Sequence, residues 1–233
     1  MRSLYSNKNY MRYLYDNKSK PYPYTILLVL LLVGCYILQV LDVIPIEYVV
    51  MNTQEVFDLN IFGAFISLFF HANTIHFVLN LVALFLFSKK AEEELGIATP
   101  ILFILGGALA NVVAAFYAGF FSEHYLSVGA SAGIAPLIFL TLLTRPFTYL
   151  TPFAYFIILF DIFNLSNQNT NVNHAVHVIG YLTSFILIAF ISFKNKKMIY
   201  LSILFNLGML IALFFITQEF GNEIIDYILN LIG

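Results

Sequence analysis

The chain has 233 residues, 61% of them hydrophobic and only 10% charged, with a mean hydropathy of +0.86 and a formal net charge of −2. A soluble domain carries roughly 25% charged residues, so 11 Lys+Arg and 13 Asp+Glu are too few to cover a water-facing surface. The composition excludes an ordinary soluble domain, and nothing in it points to a nucleic-acid partner.

Residues 1–20 are polar, basic and Tyr-rich, too short for a domain and without the layout of a signal peptide. Beyond them the charges cluster, and the apolar gaps predict seven helices, near 24–41, 68–88, 98–119, 130–145, 147–165, 174–193 and 198–217. A helix crossing ~30 Å of hydrocarbon needs about 20 apolar residues, and each gap can hold one. The fold class expected is an all-α polytopic membrane protein. Cys35, the only cysteine, lies in the first stretch, so no intrachain disulfide is possible. The fourth stretch opens on the small residues Gly129, Ala130, Ser131, Ala132 and Gly133 and becomes strongly apolar only near Ile134. It predicts a short helix whose start lies inside the membrane. The fifth stretch holds Asp161, the one carboxylate within a span. Glu92, Glu93 and Glu94 are expected in a solvated inner loop, and 218–233 as a short amphipathic helix on the outer surface.

Lys and Arg orient this bundle. Arg2, Lys8, Arg12, Lys18 and Lys20 precede the first stretch, Lys89 and Lys90 follow the second, Arg145 the fourth, and Lys194, Lys196 and Lys197 the sixth. All eleven fall on one side of a seven-helix arrangement. The positive-inside rule then places the N-terminus in the cytosol and the C-terminus outside.

Strongly polar residues within a bilayer are costly and usually functional. Three stretches carry them: His71 to Asn80 at the start of the second, Gly129-Ala130-Ser131 at the fourth, and His174-Ala-Val-His177-Val-Ile-Gly180 at the sixth. All three begin on the outer side, so a hydroxyl (Ser131) and two imidazoles (His76, His177) lie at similar depth. A serine hydroxyl needs a base to become a nucleophile, and His is the usual one near neutral pH. The tetrahedral intermediate needs donors aimed at its oxyanion. His76 and Asn80, spaced i, i+4, face one way, and the free N–H groups at the start of the fourth helix can also donate. Gly180 permits close approach of the sixth helix to the fourth, and Gly106, Gly107 and Ala108 do the same for the third.

These residues resemble the rhomboid family. The marks are His71…His76…Asn80, Gly129-Ala130-Ser131, His177-Val178-Ile179-Gly180, and Glu94-Leu95-Gly96 after the second helix. The resemblance covers about 24–193. It implies a six-helix rhomboid-type core over 21–195 behind the cytosolic segment 1–20, with a seventh transmembrane helix and short outer tail over 196–233. It implies an intramembrane serine endopeptidase with a Ser–His dyad and no third acidic member. Ser131 would be the nucleophile, His177 the general base, and His76, Asn80 and the Ser131 N–H the oxyanion donors. His71, Gly129 and Gly180 would be structural residues near the site. Substrates would be single-pass transmembrane proteins met in the lipid bilayer, with no cofactor and no metal. The chain departs from the family pattern at Ala132 and Ser184, where Gly is usual, and at Phe62-Gly63, where the first loop often carries Trp-Arg.

Other readings exist for the same residues. His174 and His177, i and i+3, could form a metal pair with His71 and His76 adding ligands, but no His-Glu-x-x-His pattern accompanies them. A catalytically silent relative that binds membrane-protein clients is the alternative function; the intact Ser131 and His177 argue against it. A small transporter is a third class, but the chain has no internal repeat and its polar groups lie near one face.

Overall fold

The computed structural model describes residues 21–58, 61–120, 126–144, 148–164 and 174–190, together with Leu204, Gly208 and Ile211. Its elements are α1 (Pro23–Val40), β1 (Met51–Asn52), α2 (Thr53–Phe57), α3 (Phe62–Ile66), α4 (Thr74–Leu95), α5 (Ala98–Phe120), β2 (Leu126–Ser127), α6 (Ser131–Thr144), α7 (Thr151–Phe163) and α8 (His174–Phe190). The seventh stretch lies outside the described residues except for Leu204, Gly208 and Ile211, which are helical. Residues 1–20, His124, Arg145, Lys194, Lys196, Lys197, the loop 165–173, the tail 218–233 and the Ser184 side chain also lie outside them.

Among the described residues, α1, α4 and α5 are long and apolar enough to cross a membrane. α1 turns Ile26, Leu27, Leu30 and Leu31 outward, as a helix bathed in lipid would. The protein is an integral multi-pass membrane protein. α6 is different. Its 14 residues span about 21 Å at 1.5 Å per residue, and every side chain from Ala132 to Leu143 is buried. It runs through the middle of the bundle, packed by α4, α5 and α8. A helix enclosed by protein need not span the bilayer, which lets its N-terminus sit at depth, as the weak hydropathy of 129–133 predicts.

Glycines set the spacing around α6. A Cβ on Gly107 of α5 would lie 2.8 Å from both the Cα and the N of Gly133. A Cβ on Gly180 of α8 would lie 2.9 Å from Ala135 Cβ and 3.1 Å from the Ala132 carbonyl oxygen. That carbonyl has no helical partner, because its i+4 residue is Pro136, which lacks an N–H. Small residues thus allow backbone-to-backbone contact where lipid gives no hydrophobic drive for association.

Two expectations are corrected here. The second stretch is predicted over 68–88, but the helix runs Thr74–Leu95. Ser67–Phe69 form a 3-10 turn and Asn73 caps α4, its side chain accepting from the His76 N–H at 2.9 Å. Asn73 competes for backbone donors and so begins the helix, while Phe87, Ser88 and Ala91 keep its last turns buried. Glu92, expected in a solvated loop, is buried on α4. Its carboxylate accepts from Tyr24 N–H at 3.2 Å, Thr25 N–H at 2.7 Å and Thr25 Oγ1 at 2.7 Å. These are first-turn donors of α1 with no intrahelical acceptor, and a carboxylate there also meets the positive end of the helix dipole. Glu93 does face solvent, accepting from the Tyr22 hydroxyl at 3.1 Å and pairing with Lys90 at 3.3 Å.

Glu92 therefore holds the start of α1 against the end of α4. Leaving a buried donor unsatisfied costs about 1–3 kcal/mol. Glu92→Ala is expected to lower the melting temperature of the detergent-solubilised protein by several degrees, and Glu92→Gln, which keeps one acceptor oxygen, by less. Equal melting temperatures for all three proteins would show that the cap is not stabilising.

Candidate active site

The site is built around the residues that lead into α6. Gly129 has φ +131°, a conformation that favours glycine. Its N–H donates to the Ser67 carbonyl at 2.8 Å. A Cβ there would lie 2.6 Å from His76 Cε1, 2.9 Å from His76 Nε2 and 3.6 Å from Asn80 Nδ2. Glycine is thus favoured twice, by the backbone angle and by the His76 ring that α4 sets against it, while Asn80 lies at ordinary contact distance. Ala130 follows. Its N–H donates to His71 Nε2 at 3.4 Å, and its carbonyl accepts from Gly133 and Ile134 N–H, both at 2.9 Å. Ser131 is the first residue of α6 and is only half-buried. At a helix start, the Ser131 and Ala132 N–H groups have no acceptor within the helix.

Asn80 is buried, and its Nδ2 has no hydrogen-bond partner among the described residues. Buried amide donors are nearly always paired, and Asn80 shares its lack of a partner with His71 Nδ1, Ser88 Oγ, Thr99 Oγ1 and His174 Nε2 among the described residues. His71 is held more completely. It is fully buried, and Gln39 of α1 clamps its backbone, accepting from His71 N–H at 3.0 Å and donating to His71 O at 2.6 Å. Its ring meets those of His76 and Phe77 edge-on at 5.3 and 5.4 Å, and Phe77 stacks on Tyr36 at 3.9 Å.

Asn111 of α5 ties together the connections that lead into α4 and α6. It is buried, donates to Ala64 O at 3.2 Å and Ser67 Oγ at 3.3 Å, and accepts from Ser127 Oγ at 2.8 Å. Ser127 belongs to β2, which pairs antiparallel with β1, Met51 opposite Ser127. The strand pair and Asn111 together fix the chain just before Gly129.

α8 brings the remaining residues. It meets α6 where Gly180 touches Ala132, one residue after Ser131 and one turn after His177. Ser131 and His177 therefore head the same helix crossing. Among the described residues no hydrogen bond joins them. His177 Nδ1 instead meets Asp161 Oδ1 of α7 at 2.9 Å. The same oxygen meets His174 Nδ1 at 2.7 Å, and the Tyr181 hydroxyl donates to Asp161 Oδ2.

The structure thus brings His71, His76, Asn80, Gly129 and Ser131 into one cluster, with Gly180 and His177 across the α6–α8 crossing. The sequence reading does not assign Asp161 to the site; the structure places it in direct contact with His177. The signal was present: a carboxylate alone in an apolar stretch needs a partner. Gln39 and Asn111 were missed because each acts on backbone or on distant loops, with no local pattern. Asp161, His174 and His177 also place one ligand atom each within 4.8 Å of the others, so they are the described residues best able to hold a metal.

Among proteins of known kind, the rhomboid domain family model matches residues 59–195, more than half of the chain. No curated protein matches it. The match takes in α3 to α8 and every residue of the cluster except those contributed by α1 and the segment behind it. This chain belongs to the rhomboid family.

Proposed function

We propose that the protein is an intramembrane serine endopeptidase, cutting single-pass membrane proteins near the outer end of their transmembrane helices. The observation that carries this reading is the open donor set at the start of α6. The unpaired Asn80 amide and the His76 ring lie beside Gly129, two residues before Ser131, whose N–H opens the helix and has no acceptor within it. An oxyanion is what such a set stabilises. Ser131 Oγ attacks the scissile carbonyl carbon as His177 Nε2 takes its proton. The carbonyl oxygen becomes an oxyanion facing His76, Asn80 and the Ser131 N–H. Collapse expels the amine, which receives the proton from His177. Water then enters by the same route to free the acyl-enzyme.

Ser131→Ala and His177→Ala are each expected to abolish cleavage of a transmembrane substrate in proteoliposomes while the protein stays folded. Turnover by purified Ser131→Ala would end the serine reading. If wild type neither cleaves nor reacts with a fluorophosphonate, the chain is a silent client-binding relative instead. The Asp161–His174–His177 grouping favours a second reading, a metal-dependent hydrolase. Chelation is expected to leave the rate unchanged; inhibition reversed by zinc would support the metal.

Loss of one preorganised oxyanion donor costs about 10²–10³ in rate. With two side chains and a backbone N–H sharing the charge, Asn80→Ala is expected at the mild end, with kcat lowered and KM kept. A lowered melting temperature with kcat intact would reduce Asn80 to an interhelical contact.

Ser131 needs an extended peptide, whereas a helix in lipid hides its carbonyls in i to i−4 hydrogen bonds. The placement of Lys and Arg orients the start of α6 towards the outer face, where a substrate helix unwinds most easily. Gly or Pro in the outer third of a substrate helix is expected to speed cleavage there, and an uninterrupted Leu-rich helix to resist. Equal rates in the same liposomes, or cuts mapped to the inner third, would contradict this.

A further inference from the structure

We propose that Asp161 is a positioning residue for His177, so that this chain works through an Asp161–His177–Ser131 triad rather than a bare dyad. The proposal rests on the serine-protease reading above and deepens it.

A carboxylate inside an apolar bundle is expensive unless several donors satisfy it. Asp161 is 2% exposed and meets three side-chain donors, all from one face of α8. His174, His177 and Tyr181 stand at i, i+3 and i+7, so a single stripe of that helix is dedicated to one carboxylate. His174 and Tyr181 are fully buried with it and anchor both oxygens, His174 Nδ1 at 2.7 Å on Oδ1 and the Tyr181 hydroxyl on Oδ2. Those two alone would hold the acid in place. The third contact, His177 Nδ1 on Oδ1 at 2.9 Å, joins the acid to the one imidazole that heads the α6 crossing.

The consequence follows from donor and acceptor counting. A carboxylate only accepts, so His177 must carry its proton on Nδ1. Its Nε2 is then left with the lone pair needed to receive the Ser131 proton. When Ser131 Oγ forms its bond to the substrate carbonyl carbon, the π pair moves to the carbonyl oxygen and the proton passes to Nε2. The resulting imidazolium lies beside the carboxylate. On collapse the C–N bond breaks and Nε2 returns its proton to the amine, while the Nδ1 proton stays in place throughout. Asp161 gains and loses nothing; it selects the tautomer and ring orientation. Its neighbours hold it against movement, so no reorganisation is needed as charge develops.

The test uses the full chain in proteoliposomes. Asn in place of Asp161 fills the same space but can donate, which favours the wrong His177 tautomer. Asp161→Asn is expected to lower kcat by about 10²–10⁴ with KM kept, and to slow fluorophosphonate labelling in parallel. In a His177→Ala background the same change is expected to leave the residual labelling rate unaltered, since the acid would act only through the imidazole. A structural role would lower that residual rate too. Where Asp161→Asn fails to fold, Tyr181→Phe decides, expected to lower kcat several-fold at unchanged KM by loosening the acid. Wild-type kcat in Asp161→Asn, or in Tyr181→Phe if that is the variant that folds, overturns the proposal. So does a wild-type rate lost on chelation and restored by zinc. Continued cleavage by Ser131→Ala would instead defeat the serine reading beneath it, and the two failures are told apart by that arm.

Discussion

The fold turns on one constraint: α6 must be too short to cross the membrane and must still be buried on all sides. A short helix enclosed by its neighbours can begin, with Ser131, below the membrane surface, as the proposed mechanism requires. Being buried spares its exposed N–H groups from lipid, where an unsatisfied backbone donor is costly. Both conditions need neighbouring helices at backbone distance. Gly107 against Gly133 and Gly180 against Ala132 supply that approach. An added Cβ at either would force shifts, and overpacking of a tight interior typically costs about 1–3 kcal/mol. The consequence would reach the chemistry, since Gly180 fixes the distance between the helices bearing Ser131 and His177.

Around this helix the polar groups divide into those that are satisfied and those that are not. Gln39, Asn111, Ser67, Ser127 and Glu92 bond to backbone or to one another and hold the connections ahead of Gly129 and the first turn of α1. They make a hydrogen-bonded frame. Asn80 Nδ2 is left open within it. His71 Nδ1, Ser88 Oγ, Thr99 Oγ1 and His174 Nε2 are buried and unpaired among the described residues as well, so what sets Asn80 apart is its place beside Gly129; a preorganised donor for charge that appears only in the reaction is the role proposed for it.

Much of this was legible in the chain. The apolar gaps located α1 and α4 to α8 to within a few residues, except that Asn73 starts α4 later than hydropathy indicates. Hydropathy registers where lipid begins; it does not register a capping side chain. The weak hydropathy of Gly129 to Gly133 matches a short helix that begins at Ser131. Residues with chemistry written into their spacing, such as His76 and Asn80, were visible because i, i+4 is a local relation. The sequence gives Asp161 no local partner, because its partners lie 13 to 20 positions on and on another helix. Glu92 was misplaced in solvent for the same reason: its partners, Tyr24 and Thr25, are some seventy residues earlier. Long-range pairing of polar groups has no periodicity to betray it.

Placement of an activated Ser131 at the head of α6 is the claim on which the rest stands. Reaction of the folded protein with a fluorophosphonate, followed by mass-spectrometric mapping, tests it most directly, because only an activated serine in a formed site reacts. The account predicts a single adduct, on Ser131, that disappears when the protein is denatured beforehand and is strongly reduced in His177→Ala. An adduct on any other residue, or active cleavage with Ser131 unmodified after complete reaction, would contradict it.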